Sequence, residues 1–217
     1  MEKKTGINNC TNEQIVKVCK EKVRLDALKP VRESILEVED DSWIVGDNLL
    51  LSRHSVAPSS GCSWSDGRGA SFTICEAAYP LPQTRPLSPT SPVQLVQDAG
   101  DCNAAWRIGE AFLKVQALRT TSRTREHVTL NYLHDPANGS TPTFLISFVL
   151  FHKEYDNRYY LLTSRVPGDT LEKARSTMEE ATKQACVKQV VNLCKELAQR
   201  QNHRYAVLTG VTYRTHG

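Results

Sequence analysis

The stretch that decides the fold is Ala111-Phe112-Leu113-Lys114-Val115-Gln116-Ala117, followed after a polar break by Thr124-Arg125-Glu126-His127-Val128-Thr129-Leu130-Asn131-Tyr132-Leu133-His134. The first segment predicts a strand, in which alternation sets Leu113 and Val115 on the face opposite Lys114. The second predicts a helix over Arg125 to His134, with Val128, Leu130, Tyr132 and Leu133 as its apolar residues and Pro136 and Gly139 ending it. The intervening Thr120 to Thr124 offers helix caps.

Upstream of this pair, Val93 to Val96 predicts a strand, Asp98-Ala99-Gly100-Asp101 a turn, and Ala104 to Ile108 a second strand closed by a tight Gly109-Glu110 turn. Downstream, Phe144 to Phe151 and Arg158 to Ser164 flank Tyr155-Asp156-Asn157 and predict a hairpin, which Pro167-Gly168 breaks. Ser176 and Glu179 have capping-box spacing ahead of a long helix with the stripe Val187, Val190, Val191, Cys194 and Leu197. The order is three strands, a helix and two strands, then helices, which makes the fold class α+β. No internal repeat is visible.

Before residue 93 the chain reads differently. Thr11 and Gln14 have capping-box spacing before an apolar helical face of Ile15, Val16, Val18, Cys19 and Val23. Ser34 to Val38, Trp43-Ile44-Val45, a Gly46-Asp47-Asn48 turn and Leu49-Leu50-Leu51 predict a hairpin. Residues 58 to 70 hold four Ser and three Gly and read as loop. Tyr79 to Pro92 carries five of the ten prolines and reads as an extended linker. The expected organisation is an N-terminal extension over 1–78, a linker over 79–92, the strand–helix unit over 93–168 and the start of a helical region over 169–217.

With 217 residues, 40% of them apolar, the chain is long enough to bury a core without staples. Lys plus Arg is 27 against 24 for Asp plus Glu, and a net +3 argues against nucleic acid or an anionic membrane as the main partner. The seven cysteines form no Cys-x-x-Cys pair and the six histidines no ligand spacing with them, so neither a disulfide framework nor a metal site is expected. No secretory segment follows Met1-Glu2-Lys3-Lys4, and no apolar run approaches the roughly 20 residues that span a bilayer. The expectation is a soluble, reduced, cytoplasmic protein.

This element order is the small lobe of a kinase-like phosphotransferase, a five-stranded antiparallel sheet with one inserted helix. Its chemistry asks for a lysine on the third strand to reach the phosphates and a carboxylate on the next helix to hold that lysine. Lys114 and Glu126 stand at those places. Residues 103 to 135 resemble the aminoglycoside phosphotransferase family, in particular its fungal-type members. The likeness lies in Asn103-Ala104-Ala105-Trp106-Arg107-Ile108-Gly109-Glu110, Phe112-Leu113-Lys114-Val115 and Thr124 to His134. It continues through Asp156 to Gly168 and Thr177-Met178-Glu179-Glu180-Ala181. The resemblance implies that Lys114 contacts the α/β-phosphates of ATP and that Glu126 pairs with it. It further implies that the backbones of Ser164 and Val166 offer adenine an acceptor and a donor, and that Asp98 to Asn103 covers the phosphates.

Phosphoryl transfer also needs a base and magnesium ligands, which in this superfamily come from a His-x-Asp-x-x-x-x-Asn loop and a later Asp. After Lys114 the only aspartates are Asp135, Asp156 and Asp169. In His134-Asp135-Pro136-Ala137-Asn138 the Asp–Asn spacing is too short and the motif precedes the hinge. Asp156 lies in a hairpin turn, and Asp169 would cap a short helix. Enzymes lower barriers by at least about 8 kcal/mol, here almost wholly through positioning and metal electrostatics, which Lys114 and Glu126 alone cannot supply. Residues 203 to 217 read as a short strand or frayed end and do not restore the motif. The expectation is therefore an ATP-binding, kinase-like chain with no catalytic residue and no metal ligand of its own. It reads as an incomplete or truncated member of a family that phosphorylates small hydroxyl-bearing molecules. The alternative is a non-catalytic module that binds nucleotide or a protein partner, or self-associates through its exposed C-terminal helix.

Overall fold

The computed structural model describes residues 29–56, 61–118, 124–138 and 142–201. The helix expected at Thr11 to Val23, most of the polar stretch before Thr124 and the C-terminal residues 203 to 217 lie outside them. The fold class is α+β, with two five-stranded antiparallel sheets and few helices.

Apolar alternation builds the first sheet. A 3₁₀ turn, Val31–Glu33, leads into β1 (Ile35–Glu39), β2 (Ser42–Val45) and β3 (Leu49–His54), a three-stranded meander in place of the expected hairpin. β4 (Cys62–Ser65) and β5 (Ser71–Glu76) follow, in the sheet order β1-β2-β3-β5-β4. β4 lies inside the stretch expected to be loop. Its Ser63 and Ser65 point outward around a buried Trp64, a period-2 pattern hidden by the surrounding Ser and Gly.

The second sheet comprises β6 (Val93–Asp98), β7 (Asn103–Ile108), β8 (Ala111–Ala117), β9 (Val149–Tyr155) and β10 (Arg158–Ser164), in the order β6-β7-β8-β10-β9. Helix α1 (Glu126–His134) connects β8 to β9. β9 starts later than expected, at Val149, because Leu145 and Phe148 before it are exposed and lack the burial that holds a strand. The Asp156-Asn157 turn is left-handed at both residues, with φ of 48° and 55°, which suits the twist of a two-residue hairpin. Two helices close the described chain, α2 (Leu171–Arg175) and α3 (Glu180–Gln201). Ser176 is the C-cap of α2 and its hydroxyl donates to Lys173 O, so it does not open the long helix. Thr170, not Asp169, is the N-cap of α2, its side chain accepting from Lys173 N.

The two sheets face each other across one core. Trp43, Leu49, Leu51, Phe72 and Ile74 from the first meet Trp106, Ile108, Leu113, Tyr160 and Leu162 from the second. The segment 79–92 is extended as expected, yet it is also paired. Glu37 and Arg85 exchange both backbone hydrogen bonds at 2.8 Å, and Arg85 also pairs with the Glu37 carboxylate. Burial alone would raise the Glu37 carboxyl, but the Ser88 N–H, Arg85 and the Ser91 hydroxyl outweigh it and hold the group below its ordinary range.

The shared strand order is a repeat that the sequence hides. Aligned by register, Ile35, Trp43, Val45, Leu51, Phe72 and Ile74 match Val93, Trp106, Ile108, Leu113, Tyr160 and Leu162. Only the two tryptophans and Leu51/Leu113 are identical among these pairs. A glycine with positive φ follows each β2-type strand, Gly46 at 62° and Gly109 at 59°. The contacts are reciprocal. A Cβ on Gly109 would lie 2.6 Å from Ser65 O and 3.2 Å from Phe72, and one on Gly46 would lie 2.5 Å from the Tyr160 hydroxyl. Phe72 and Tyr160 are themselves matched positions, so each turn seats against the equivalent aromatic of the other sheet, as in an isologous interface.

Gly109→Ala and Gly100→Ala separate close approach from backbone strain, because Gly100 has φ 73° but open space around it. Gly100→Ala should cost about 1 kcal/mol, and Gly109→Ala a further ~1–3 kcal/mol, read by denaturant unfolding. For Glu37 the lowered pKa means stability that is present above the ordinary value of 4.5 and lost as pH falls through the lowered one. Glu37→Gln should flatten that acid limb in urea midpoints measured between about pH 6 and about pH 3.

Candidate functional site

The core-facing side of β8 carries Ala111, Leu113 and Val115, all fully buried, so Phe112, Lys114 and Gln116 project to the other side of the sheet. That other side is where α1 lies. Lys114 is paired in register with Ala105 on β7 and Leu161 on β10, both buried. The lysine thus stands on an apolar floor in the middle strand of its sheet. Its Nζ lies 2.5 Å from Glu126 Oε2, the first residue of α1. The structure brings together the two residues whose pairing the resemblance implies.

Three consecutive residues fasten the start of α1 to three strands. Arg125 pairs with Glu154 on β9, Glu126 with Lys114 on β8, and His127 with Tyr159 on β10. The Tyr159 hydroxyl accepts from the His127 backbone N–H at 3.1 Å and lies 2.9 Å from Nδ1 of the same residue. The His127 ring stacks on His152 of β9, with centroids 3.7 Å apart and planes 9° from parallel. Desolvation and the neighbouring His152 ring lower the His127 pKa from its ordinary 6.5, and burial raises that of Tyr159. At the other end, His134 Nε2 meets Ser147 O at 3.0 Å and its ring stacks on Phe148. No residue of α1 is fully buried; Leu130, Tyr132 and Leu133 are half-buried, and the ion pairs and ring contacts fasten its two ends. The reading of the sequence missed His127, His152 and Tyr159; the His127–His134 spacing of two helical turns was the signal in the chain that could have found the docking face.

Ser164 and Val166 lie where β10 leaves the sheet. The Ser164 N–H donates to Phe148 O and its hydroxyl accepts from Phe148 N–H, both at 2.8 Å, and neither bond uses the Ser164 carbonyl. Arg165 between them donates its N–H to Glu110 O and pairs with the Glu110 carboxylate. This fixes the exit of β10 beside the β7–β8 turn. The 98–103 turn is tied by Gly100 N–H to Asp98 and by Ala99 N–H to Asn103 O. Arg32 spans its two carboxylates, Asp98 and Asp101, from outside the sheet.

Of the three aspartates after Lys114, two have local partners and the third lies in a tight turn. Asp135 accepts from Ala137 N–H and Asn138 Nδ2, Asp156 sits in the β9–β10 turn, and Asp169 pairs with Lys173 at 2.8 Å. Among the described residues no group of three or more His, Cys, Asp or Glu could hold a metal ion. No helix among them is long and apolar enough to cross a membrane. No family model, no curated protein and no solved structure matches the chain.

Lys114 and Glu126 are 42% and 45% exposed, and an ion pair so solvated contributes at most about 1 kcal/mol to stability. Lys114→Met should therefore lower the melting temperature by no more than ~3 °C in a thermal scan.

Proposed function

We propose that β6–β10 with α1 form a kinase-like small lobe, similar to that of the aminoglycoside phosphotransferases, and that Lys114 held by Glu126 binds the phosphates of ATP. The observation that carries this reading is the 2.5 Å pair between the middle strand of the sheet and the first turn of the inserted helix. A pair this exposed does little for the fold, so its placement is better accounted for by a polyanionic ligand than by stability. The small buried Ala105 and the aliphatic Leu161 flank Lys114 and suit an apolar base. Ser164 and Val166, at the exit of β10, would offer it backbone polar groups. The core-facing side of the sheet is closed by β1–β5, which leaves the Lys114 face for the ligand.

The reading is one of nucleotide capture. Lys114 neutralises phosphate charge, Glu126 orients the ammonium, and α1 carries Glu126 to its place. The 98–103 turn adds two carboxylates, which weakens any hold of its own on phosphate and leaves that task to Lys114. No proton-transfer step is assigned to Asp135 and Asp169, given their local partners, or to Asp156, which sits in the β9–β10 turn. The family's reaction, phosphorylation of a small hydroxyl- or amine-bearing molecule, is thus the outer bound of the reading. A second reading, a non-catalytic nucleotide- or protein-binding module, is favoured by the placement of those aspartates and by the half-exposed Val187, Val190 and Val191 along α3.

Titrating ATP with magnesium against the full chain and its Lys114→Ala variant, with thermal stability as readout, tests the proposal. At a hundred times the dissociation constant the wild type should gain about 2.7 kcal/mol and the variant nothing. No shift in the wild type, or an equal shift in both, would sink the role of Lys114. Transfer of the γ-phosphoryl group to a hydroxyl acceptor by the same chain would decide against the binding-only reading.

A further inference from the structure

The stacked His127–His152 pair joins α1 to β9, and nothing in nucleotide capture uses it. We propose that this pair is an acid-operated latch: when both rings carry a proton the N-terminal turn of α1 leaves the sheet and Glu126 parts from Lys114.

The geometry carries the argument. Two imidazoles 3.7 Å apart and nearly parallel can stack when at least one is neutral, whereas two imidazolium rings at that distance repel. The hydrogen bonds define the neutral state. The Tyr159 hydroxyl accepts the His127 backbone N–H and lies 2.9 Å from Nδ1; in the latch its own hydrogen goes to Nδ1 of the neutral ring. The charged groups around the pair are already matched. On α1, Arg125 and Glu126 face Glu154 of β9 and Lys114 of β8 respectively, while β10 contributes the uncharged Tyr159. Glu154 favours a proton on His127 while Arg125 and His152 oppose it, so this one carboxylate is shared between an arginine and the ring pair. No residue of α1 is fully buried, and its apolar contact through Leu130 and Leu133 lies in the second half of the helix, so the first turn depends most on the polar and ring contacts. His134 behaves differently, since its ring lies on Phe148 and tolerates charge, so the far end stays attached and the helix opens from its start. The sign follows from neutral docking: α1 is held above the ordinary histidine value of 6.5 and released as pH falls below it.

The test uses the full chain without nucleotide, so its result is independent of the ATP reading. Backbone hydrogen exchange, corrected for the intrinsic effect of pH, is compared at about pH 7.5 and about pH 5. Protection of the α1 amides should fall about tenfold or more in acid, with β7, β8 and β10 unchanged. His152→Phe keeps a stacked ring that cannot ionise and should protect α1 equally at both values. Tyr159→Phe removes the hydrogen offered to Nδ1 and should move the release to higher pH. As a measurement that needs no variant, the His127 ring signals in the wild type should titrate below the ordinary histidine range together with the loss of α1 protection. Equal α1 protection at both pH values, the same acid loss in His152→Phe, or a His127 titration unconnected with α1 exchange would each overturn the latch.

Discussion

Two turns reach across the molecule, and the rest of the architecture depends on how closely they do so. Gly46 and Gly109 let the backbone of one sheet touch the aromatic shelf of the other, with no room for a side chain at either contact. Hydrogen bonds between the sheets accumulate around these points. Trp64 Nε1 donates to Ile108 O, Glu110 N–H to Ser65 O, and the Tyr155 hydroxyl to Val45 O. Together they seal one face of the β6–β10 sheet. Because α1 lies over part of the opposite face, β10 is buried for five residues in a row, Arg158 to Leu162. The Lys114 face is what the seal leaves over.

That division of faces explains why the site is soft where the scaffold is firm. The scaffold rests on dispersion and apolar burial among large side chains such as Trp43, Trp106 and Phe72. The helix over the site rests on ion pairs and ring contacts at a half-exposed surface, which exchange readily with water. A core-bound sheet with a loosely fastened helix is an arrangement in which the helix can move without disturbing the strands.

Much of the second sheet was legible in the sequence, because period-2 alternation and turn residues marked its strands from Val93 to Ser164 within a few residues. The Lys114–Glu126 juxtaposition was legible only through the strand–helix order and the family resemblance that expects the pair, since alternation sets the face of Lys114 but not the reach of Glu126. The first sheet was harder. Ser63-Trp64-Ser65 carries one apolar residue among Ser and Gly, and its strand character comes from pairing with β5 rather than from propensity. The repeat was invisible because matched positions share burial and register, not identity: Phe72 stands for Tyr160 and Ile74 for Leu162. At the site, Ser52 of β3 occupies the register position of Lys114, and β3 runs on to β4 with no helix comparable to α1, so one copy carries the ion pair and the other is scaffold. His152 and Tyr159 read as ordinary strand residues, since only the docked helix gives them a partner.

The strap formed by residues 79–92 has a consequence for self-association. An outer strand offers unpaired backbone groups to any passing chain, and β1 would do so without Arg85 bonded to Glu37 on its free side. The matched outer strand, β6, has among the described residues a partner on one side only, and it exposes Leu95 and Val96 there. Its protection is of another kind. The register slips between Leu95 and Gln97, a bulge that twists the strand, and Gln94, Gln97 and Asp98 line the rest of it. One edge is guarded by a tether and the other by irregularity, two different devices against strand addition in one chain.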